Sequence, residues 1–287
     1  MREILVQDIT KAVKEACIES NCILKNDVYS VIEQKSKEET SELGKDILNK
    51  LIENADYAKK ENIAICQDTG MMVVFAEIGQ DVHIIGGSLE EAINEGVRQG
   101  YEEGYLRKSV VAHPINRVNT NDNTPAIIHY KIVPGRGFKL RLCPKGFGSE
   151  NMSALKMLVP ADGEQGVIDF VLQTVKNAGS NPCPPIVVGV GVGGTMEKAA
   201  IMAKEALSMN LDDKSQGEYE EKLEKVLLKK INELGIGPQG LGGDTTALKV
   251  RVKTYPTHIA GLPVAVNINC HVTRHSEVIL WWNFNYH

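Results

Sequence analysis

The chain has 287 residues, of which 43% are hydrophobic and 24% charged, and these are ordinary proportions for a globular protein. They exclude a disordered chain, a collagen and a coiled-coil rod. The 37 acidic residues exceed the 32 Lys and Arg residues, so a broad nucleic-acid-binding surface is not expected. No apolar run approaches the roughly 20 residues that cross a bilayer, and the N-terminus resembles neither a signal nor a transit peptide. We therefore expect a cytoplasmic protein that binds neither nucleic acid nor membrane.

The first predicted elements are helices, because apolar side chains recur at helical spacing within the first 60 residues. Two strands are predicted next, at 71–79 and 82–85. A helix then opens at Ser88, where Glu91 completes a capping box, and it runs to about residue 106.

The middle of the chain predicts a long loop followed by two strands. Residues 109–125 carry several Asn, Pro and Thr residues. A loop of this length more often has a function or is held in place by contacts than lacks a fixed conformation. The runs 126–133 and 137–143 predict adjacent strands around a turn at Pro134 and Gly135.

The second half predicts alternating helices and strands. Asp162 is expected to cap a helix that ends near Gly179. Residues 184–195 predict a buried strand and a Gly-rich turn before a further helix. Residues 218–235 predict a solvated amphipathic helix whose charges need no functional explanation. The last clear strands are predicted at 246–255 and 262–270.

These elements predict a mixed α/β fold in which N-terminal helices are followed by mixed β-sheets flanked by helices. No repeat or linker is visible, so we expect one domain over residues 1–280, with or without two lobes. The tail 281–287, WWNFNYH, holds four of the fifteen aromatic residues. Such a tail either docks on a partner or is foreign to the domain.

Gly189, Gly191 and Gly194 satisfy GxGxxG after a strand and before a helix, which superficially suggests a dinucleotide site. Such a site needs a second strand that ends in an acidic residue about 20 residues later. Asp212 and Asp213 stand at that distance, but in a polar loop. Close packing of strand and helix, or an anion at the helix N-terminus, explains these glycines better.

The cysteines are spread along the chain without a CxxC pair, which argues against a zinc ribbon, a thioredoxin motif and a disulfide scaffold. Three of them have polar or proline neighbours at strand edges or loops: Cys66 in ICQDTG, Cys183 in NPCPP and Cys270 in VNINCHVTRH. Three thiolates on a four-iron cluster would leave one iron without a protein ligand. That iron would be a Lewis acid able to bind a hydroxyl and a carboxylate.

Several long motifs occur in order along the chain: ICQDTG, LRKSVV, KGFGSEN, NPCPPIVVGVGVGGT, LGIGPQGLGG, THIAGLPVAVNINCH and the RH pair at 274–275. Together they resemble the iron–sulfur class I fumarases, and above all the alpha subunit of their two-subunit form. The resemblance covers about residues 5–280. The related L(+)-tartrate dehydratase alpha subunits share CQDTG and segments similar to NPCPP and GIGPQGL. KGFGSEN and GGDTT favour the fumarase side, and tartrate dehydratase stays the alternative.

The resemblance implies that Cys66, Cys183 and Cys270 ligate a 4Fe–4S cluster with one iron lacking a protein ligand. It leaves the other three cysteines outside the ligand motifs, as small buried hydrophobic residues: Cys17, Cys22 and Cys143.

The same resemblance implies substrate contacts by Gln67, Asp68, Arg107, Gly148 and His258, with a small dicarboxylate such as malate or fumarate as substrate. Arg107 would grip one carboxylate through two hydrogen bonds, and the backbone at Gly148 would approach the substrate. Asp68 and His258 would be catalytic, and Asp68 is the strongest candidate for removing the C3 proton.

A partner is implied as well, because single-chain relatives continue into a C-terminal domain that supplies further substrate-binding residues. We therefore expect a beta subunit to complete the active site, in an α2β2 assembly.

Two other classes compete with a hydro-lyase subunit. A non-catalytic iron–sulfur subunit that only senses oxidation would not need Gln67, Asp68, Arg107 and His258 together. A nucleotide-binding module built on GVGVGG lacks the acidic strand end.

Overall fold

The computed structural model of the chain describes residues 1–280, and the aromatic tail at 281–287 lies outside the described residues. The chain divides into two compact units, each assembled from separate stretches. The first unit contains Met1–Ile23, Ala58–Gly146 and the residues from Arg274 on, and the second contains Leu24–Tyr57 and Phe147–Thr273. Both units combine helices with a mixed sheet, which confirms the predicted fold class.

In chain order the elements are β1 (Arg2–Leu5), α1 (Val6–Cys22), α2 (Asn26–Glu38), α3 (Glu42–Glu61), β2 (Met71–Gly79), β3 (Val82–Ile85), α4 (Leu89–Glu103), β4 (Ile127–Val133), β5 (Phe138–Lys145), α5 (Phe147–Glu150), β6 (Ala154–Leu158), α6 (Gly163–Ala178), β7 (Ile186–Gly193), α7 (Met196–Ala206), α8 (Glu218–Asn232), β8 (Ala247–Tyr255), β9 (Leu262–Asn269) and β10 (Ser276–Ile279). Within residues 1–280, none of these helices is long and apolar enough to cross a membrane.

The main sheet of the first unit has the strand order β10-β5-β2-β4. Strand β2 pairs parallel with β4 and antiparallel with β5, so the prediction that β4 and β5 are adjacent is wrong. The connection between them crosses the end of β2, where the N–H of Gly79 donates to the carbonyl of Gly137 at 2.7 Å. The buried positions of β2 follow one another without alternation, as expected of a strand covered on both faces.

Helices α1 and α4 pack closely in the first unit because α4 presents glycines to α1. A Cβ atom at Gly96 would lie 2.6 Å from the Cβ of Val13, and one at Gly100 would lie 2.7 Å from the Cβ of Cys17. Ser88 caps α4 as predicted, since its hydroxyl accepts from the N–H of Glu91 at 3.5 Å.

The sheet of the second unit has the order β6-β9-β7-β8, in which β7 runs parallel to β8 and antiparallel to β9. Two glycines of the GxGxxG motif lie inside β7, beneath helix α7. A Cβ atom at Gly189 would lie 2.1 Å from the carbonyl oxygen of Ala203, and one at Gly191 would lie 2.1 Å from that of Ala199. Close packing of strand and helix therefore explains these two glycines.

Two local predictions in the second unit need correction. Asp162 stands just before α6, but its carboxylate accepts from the N–H of Val159 at 3.0 Å and makes no capping bond to the helix. Helix α8 is not solvated throughout, because Glu224 is buried. Its carboxylate accepts from the N–H of Val252 on the edge strand β8 at 2.9 Å and from the Ser215 hydroxyl at 2.6 Å. Glu224 thereby supplies the edge strand with an acceptor that a neighbouring strand would otherwise provide.

Substitution of Gly191 by alanine is expected to lower the free energy of unfolding by about 1–3 kcal/mol, because the new methyl group must push α7 away from β7. Urea denaturation of the full chain measures the loss. Gly137→Ala is the matched control, since a Cβ atom there meets no atom within 4 Å. Equal stabilities of the two variants would show that α7 yields to the methyl group without cost.

Candidate active site

The turn Cys66–Gly70 directly precedes β2 in the first unit and is held through its backbone groups. Gly70 has a φ of +77°, and a Cβ atom there would lie 2.8 Å from the backbone of Lys145, so glycine is required. The hydroxyl of Tyr101 lies 2.6 Å from the carbonyl oxygen of Thr69 and 3.0 Å from that of Gly70. Burial raises the pKa of Tyr101, which keeps this hydroxyl protonated and able to donate.

Asp68 is fixed from two directions in the first unit. Its Oδ1 accepts from the N–H of Gly70 at 3.0 Å. Its backbone carbonyl accepts from Nη1 of Arg274 at 2.8 Å, and the same Nη1 lies 2.8 Å from Oδ1 of Asn21. A Cβ atom at Gly146 would approach Oδ2 of Asp68 to 3.2 Å. Arg274 is buried and acts on the position of Asp68 through the backbone.

Cys66, Gln67 and Arg107 accompany Asp68 in this unit. The Cys66 thiol is half-buried and lies 3.5 Å from Oε1 of the exposed Gln67. Arg107 follows α4 with an exposed side chain, and its backbone carbonyl accepts from the Thr69 hydroxyl at 2.9 Å. Four of the predicted site residues are therefore associated with one turn of the first unit. Cys66, Gln67 and Asp68 lie in this turn, and the backbone of Arg107 is hydrogen-bonded to it.

The long loop at 109–125 is hydrogen-bonded to the same turn. The buried Asn123 accepts from the N–H of Ser109 at 2.7 Å and donates to the carbonyl of Gly70 at 3.1 Å. Its neighbour Asp122 accepts from the N–H of Thr124 at 2.9 Å and from Nε of Arg98 at 3.1 Å. Although partial burial opposes ionisation, these hydrogen bonds lower the pKa of Asp122 to about 2.

In the second unit, Cys183 and Cys270 are linked through His271. Cys183 is exposed and has a φ of +54°. Its carbonyl oxygen accepts from the N–H of His271 at 3.4 Å and lies 3.0 Å from Nδ1 of the same residue. His271 directly follows Cys270, so the backbones of the two cysteines lie at the same end of β7 and β9. Nε2 of Gln239 lies 3.3 Å from Nδ1 of His271.

Gly148 lies in the short helix α5 with its backbone exposed. A Cβ atom there would come no closer than 3.6 Å to the carbonyl oxygen of Asn181, two residues before Cys183. The packing of the chain itself therefore does not require glycine at this position.

His258 does not lie with the cysteines of its unit. It follows β8 and is exposed, and Thr257 beside it donates to the carbonyl of Gly194 at 2.9 Å. This is the opposite end of β7 from Cys183, and the eight residues of β7 span about 25 Å. Within one unit, His258 and Cys183 cannot contact the same small substrate. A cavity of about 360 Å³, lined in part by Tyr219 and Leu262, adjoins His258.

The accessibility of the thiols separates the six cysteines into two sets. Cys66, Cys183 and Cys270 are half-buried or exposed, whereas the other three are buried. Burial raises the pKa of Cys17 and of Cys22, which disfavours the thiolate form that binds metals.

In residues 1–280, no three His, Cys, Asp or Glu side chains are grouped closely enough to hold a single metal ion. A four-iron cluster binds each thiolate through a different iron, so its ligands need not converge on one atom. Three accessible thiols are the donor set that such a cluster requires.

Four roles were not predicted from the sequence. Tyr101, Asn123 and Arg274 hold the Cys66–Gly70 turn, and Gln239 lies beside His271. Arg274 and Gln239 stand in motifs that carry the family resemblance, and this was the available signal for them. Tyr101 and Asn123 stand in no such motif.

One family profile and several named relatives match most of this chain. The sequence profile of one family, described as fumarate hydratase (Fumerase), matches residues 10–279. A protein of Methanocaldococcus jannaschii, provisionally named L(+)-tartrate dehydratase subunit alpha, is 44% identical over 273 residues, which cover 93% of this chain and 95% of its own. The L(+)-tartrate dehydratase subunit alpha of Escherichia coli (strain UTI89 / UPEC) is 30% identical over 253 residues, 87% of this chain and 83% of its own. That of Shigella sonnei is 29% identical over 259 residues, 89% and 85% of the two chains.

Substitution of Tyr101 by phenylalanine is expected to lower the free energy of unfolding by roughly 1–3 kcal/mol, because the buried carbonyl group of Thr69 loses its hydroxyl donor. Urea denaturation measures the change, and Tyr130→Phe on the exposed side of β4 is the control. If both variants are as stable as the parent chain, the Tyr101 hydroxyl does not hold the turn.

Substitution of Asp122 by asparagine is expected to cost about 2 kcal/mol at pH 7, because the lowered pKa of Asp122 represents stability that only the carboxylate provides. This contribution is present above about pH 4 and is lost as the pH falls toward 2. Urea denaturation at several pH values measures the difference between variant and parent. The difference should be constant from pH 7 to 5 and shrink below pH 4. The exposed Asp212→Asn serves as the control, and a difference independent of pH would contradict the assignment.

Proposed function

The chain belongs to the fumarate hydratase family, and on that premise we propose that it is the alpha subunit of an iron–sulfur hydro-lyase that interconverts (S)-malate with fumarate and water. The family supports hydro-lyase activity, and its profile spans nearly the whole chain. The observation that carries the proposal is that all three accessible thiols, and none of the buried ones, stand in the motifs that resemble the family.

We assign Cys66, Cys183 and Cys270 as ligands of a 4Fe–4S cluster. When bound, such a cluster with one iron free of protein ligands supplies a Lewis acid for the hydroxyl and adjacent carboxylate of the substrate. The contact of His271 with the Cys183 carbonyl supports the pairing of Cys183 and Cys270, because it fixes the two backbones relative to each other.

Arg107, Gln67 and Gly148 bind the substrate in this proposal. The exposed guanidinium of Arg107 suits two parallel hydrogen bonds to one carboxylate of a dicarboxylate. The exposed amide of Gln67 can donate to a second substrate oxygen. At Gly148 the open space that a side chain would fill leaves the backbone accessible to the ligand.

Asp68 is the proposed base for the C3 proton. A general base must be held within hydrogen-bond reach of the proton that it removes. The bonds from Gly70 and Arg274 hold Asp68 in one position. Negative charge develops on the adjacent carboxylate as the proton leaves, and the Arg107 cation is suited to stabilise it.

The catalytic role of His258 stays a prediction from the resemblance. Its Nδ1 accepts from the N–H of Ala260 at 3.2 Å, so the neutral ring carries its proton on Nε2 and can donate to a substrate oxygen. Because His258 and Cys183 lie at opposite ends of β7, this role requires that His258 serve the active site of a second copy. An α2β2 assembly would contain such a copy.

The alternative substrate is L(+)-tartrate, which the names of the three relatives above support. Both reactions remove water from a 2-hydroxy dicarboxylate, and the residues assigned here serve either of them. Those names also describe alpha subunits, which supports a beta subunit as the partner.

The test is malate-dependent formation of fumarate, followed by its ultraviolet absorbance, after anaerobic reconstitution with iron and sulfide in the presence of the cognate beta subunit. L-tartrate is assayed in parallel through oxaloacetate. We expect turnover of malate, and loss of both turnover and the iron-dependent brown colour in Cys183→Ser. Cys22→Ala, which alters a buried thiol, should keep both.

Each other outcome has a definite meaning. Turnover of tartrate alone would select the alternative substrate. If the chain binds iron but turns over neither compound, it is a non-catalytic iron–sulfur subunit. Failure to bind iron would overturn the cluster assignment, and full activity of the alpha chain alone would overturn the need for a partner.

A further inference from the structure

A hairpin at residues 110–120 stands beside Arg107 in the first unit. The N–H of Ala112 donates to the carbonyl of Val118 at 2.7 Å, and the N–H of Thr120 donates to that of Val110 at 2.9 Å. The loop at its tip is closed by the bond from the N–H of Arg117 to the carbonyl of His113 at 2.9 Å. The hairpin therefore has a defined backbone conformation.

The tip of this hairpin is stabilised by its own side chains. Nδ1 of His113 accepts from the N–H groups of Ile115 and Asn116, at 3.2 Å each. Arg117 has a φ of +59°, a conformation that side-chain-bearing residues seldom adopt. At the base, Asn119 donates to the carbonyl of Lys108 at 2.9 Å. These bonds hold the tip and the base of the hairpin in one conformation.

The hairpin holds large apolar side chains in solvent. Ile115 is 79% exposed and Val118 is 65% exposed, and Tyr105, just before Arg107, is 95% exposed. Exposed apolar side chains are unremarkable when scattered, but here they lie on one ordered segment.

The hairpin also carries a positive charge. The hairpin itself, residues 110–120, contains Arg117 and no acidic residue, whereas the chain as a whole has a net charge of −5. Lys108, just before the hairpin, is paired with Glu102. A protein surface that combines apolar and acidic side chains is the complement of such a segment.

We infer that the hairpin 110–120, together with Tyr105, is the surface on which the partner subunit docks. The inference rests on the proposed function for the existence of that subunit. Arg107 lies between Tyr105 and the hairpin, and its carbonyl is bonded to Thr69 in the Cys66–Gly70 turn. A subunit seated on this surface is therefore beside the proposed substrate-binding arginine, where it can add residues to the active site.

The test is co-elution of the full-length alpha chain with its tagged cognate beta subunit. Ile115→Glu/Val118→Glu places two carboxylates in the apolar part of the proposed surface, and we expect beta binding to weaken by about tenfold or more. Ile132→Glu is the matched control, because Ile132 is 66% exposed in the same unit but lies on β4. Circular dichroism verifies that both variants are folded, as substitutions at exposed sites should be.

Unchanged co-elution of the double variant, or failure of the parent chain to bind the beta subunit, would overturn the inference. So would a variant that binds the beta subunit normally but no longer associates with a second alpha chain, since the hairpin would then be an interface between alpha chains. If the parent complex forms, is broken by the double variant and turns over neither malate nor tartrate, the docking surface stands and the proposed reaction falls.

Discussion

The Cys66–Gly70 turn depends on one contact between backbones, in which Gly70 lies against Lys145 with no room for a side chain. This contact is where β2 begins and β5 ends, and it fixes the register of the central strand pair. Tyr101 from α4 and Arg274 from the C-terminal stretch reach the same turn through its carbonyl groups. The position of Asp68 therefore depends on segments that are far apart in sequence, and a change in any of them alters the candidate site.

Local sequence patterns were sufficient to predict most elements but not their arrangement. Strands β2 and β3 were predicted to the residue, because each is an apolar or alternating run with turn residues on both sides. The order of β4 and β5 was not predictable in this way, since a turn between two strands does not reveal whether a third strand inserts. The short strands β1, β6 and β10 were not predicted.

In the candidate site, too, local motifs predict some residues, whereas contacts between residues far apart in sequence are not predicted. The family motifs name Cys66, Asp68 and Arg107, but the residues that fix them act by hydrogen bonds from side chains to distant backbone groups, and these bonds leave no local pattern. The glycines of β7 show the opposite difficulty. GxGxxG matches a dinucleotide-binding pattern, yet Gly189 and Gly191 are required by the contact with α7. One pattern can thus have two physical causes, and only the packing distinguishes them.

The interleaving of the two units has a consequence for biosynthesis. All stretches of the second unit have been synthesised once Thr273 is added, whereas the first unit still lacks β10, the partner of β5. Domains tend to fold as soon as their residues emerge from the ribosome, usually from the N-terminus onward. In this chain the order is reversed, because the unit that contains the N-terminus is the last to become complete. The bond from Arg274 to the Asp68 carbonyl can form only after the second unit has been synthesised, and Asp68 reaches its fixed position no earlier than that.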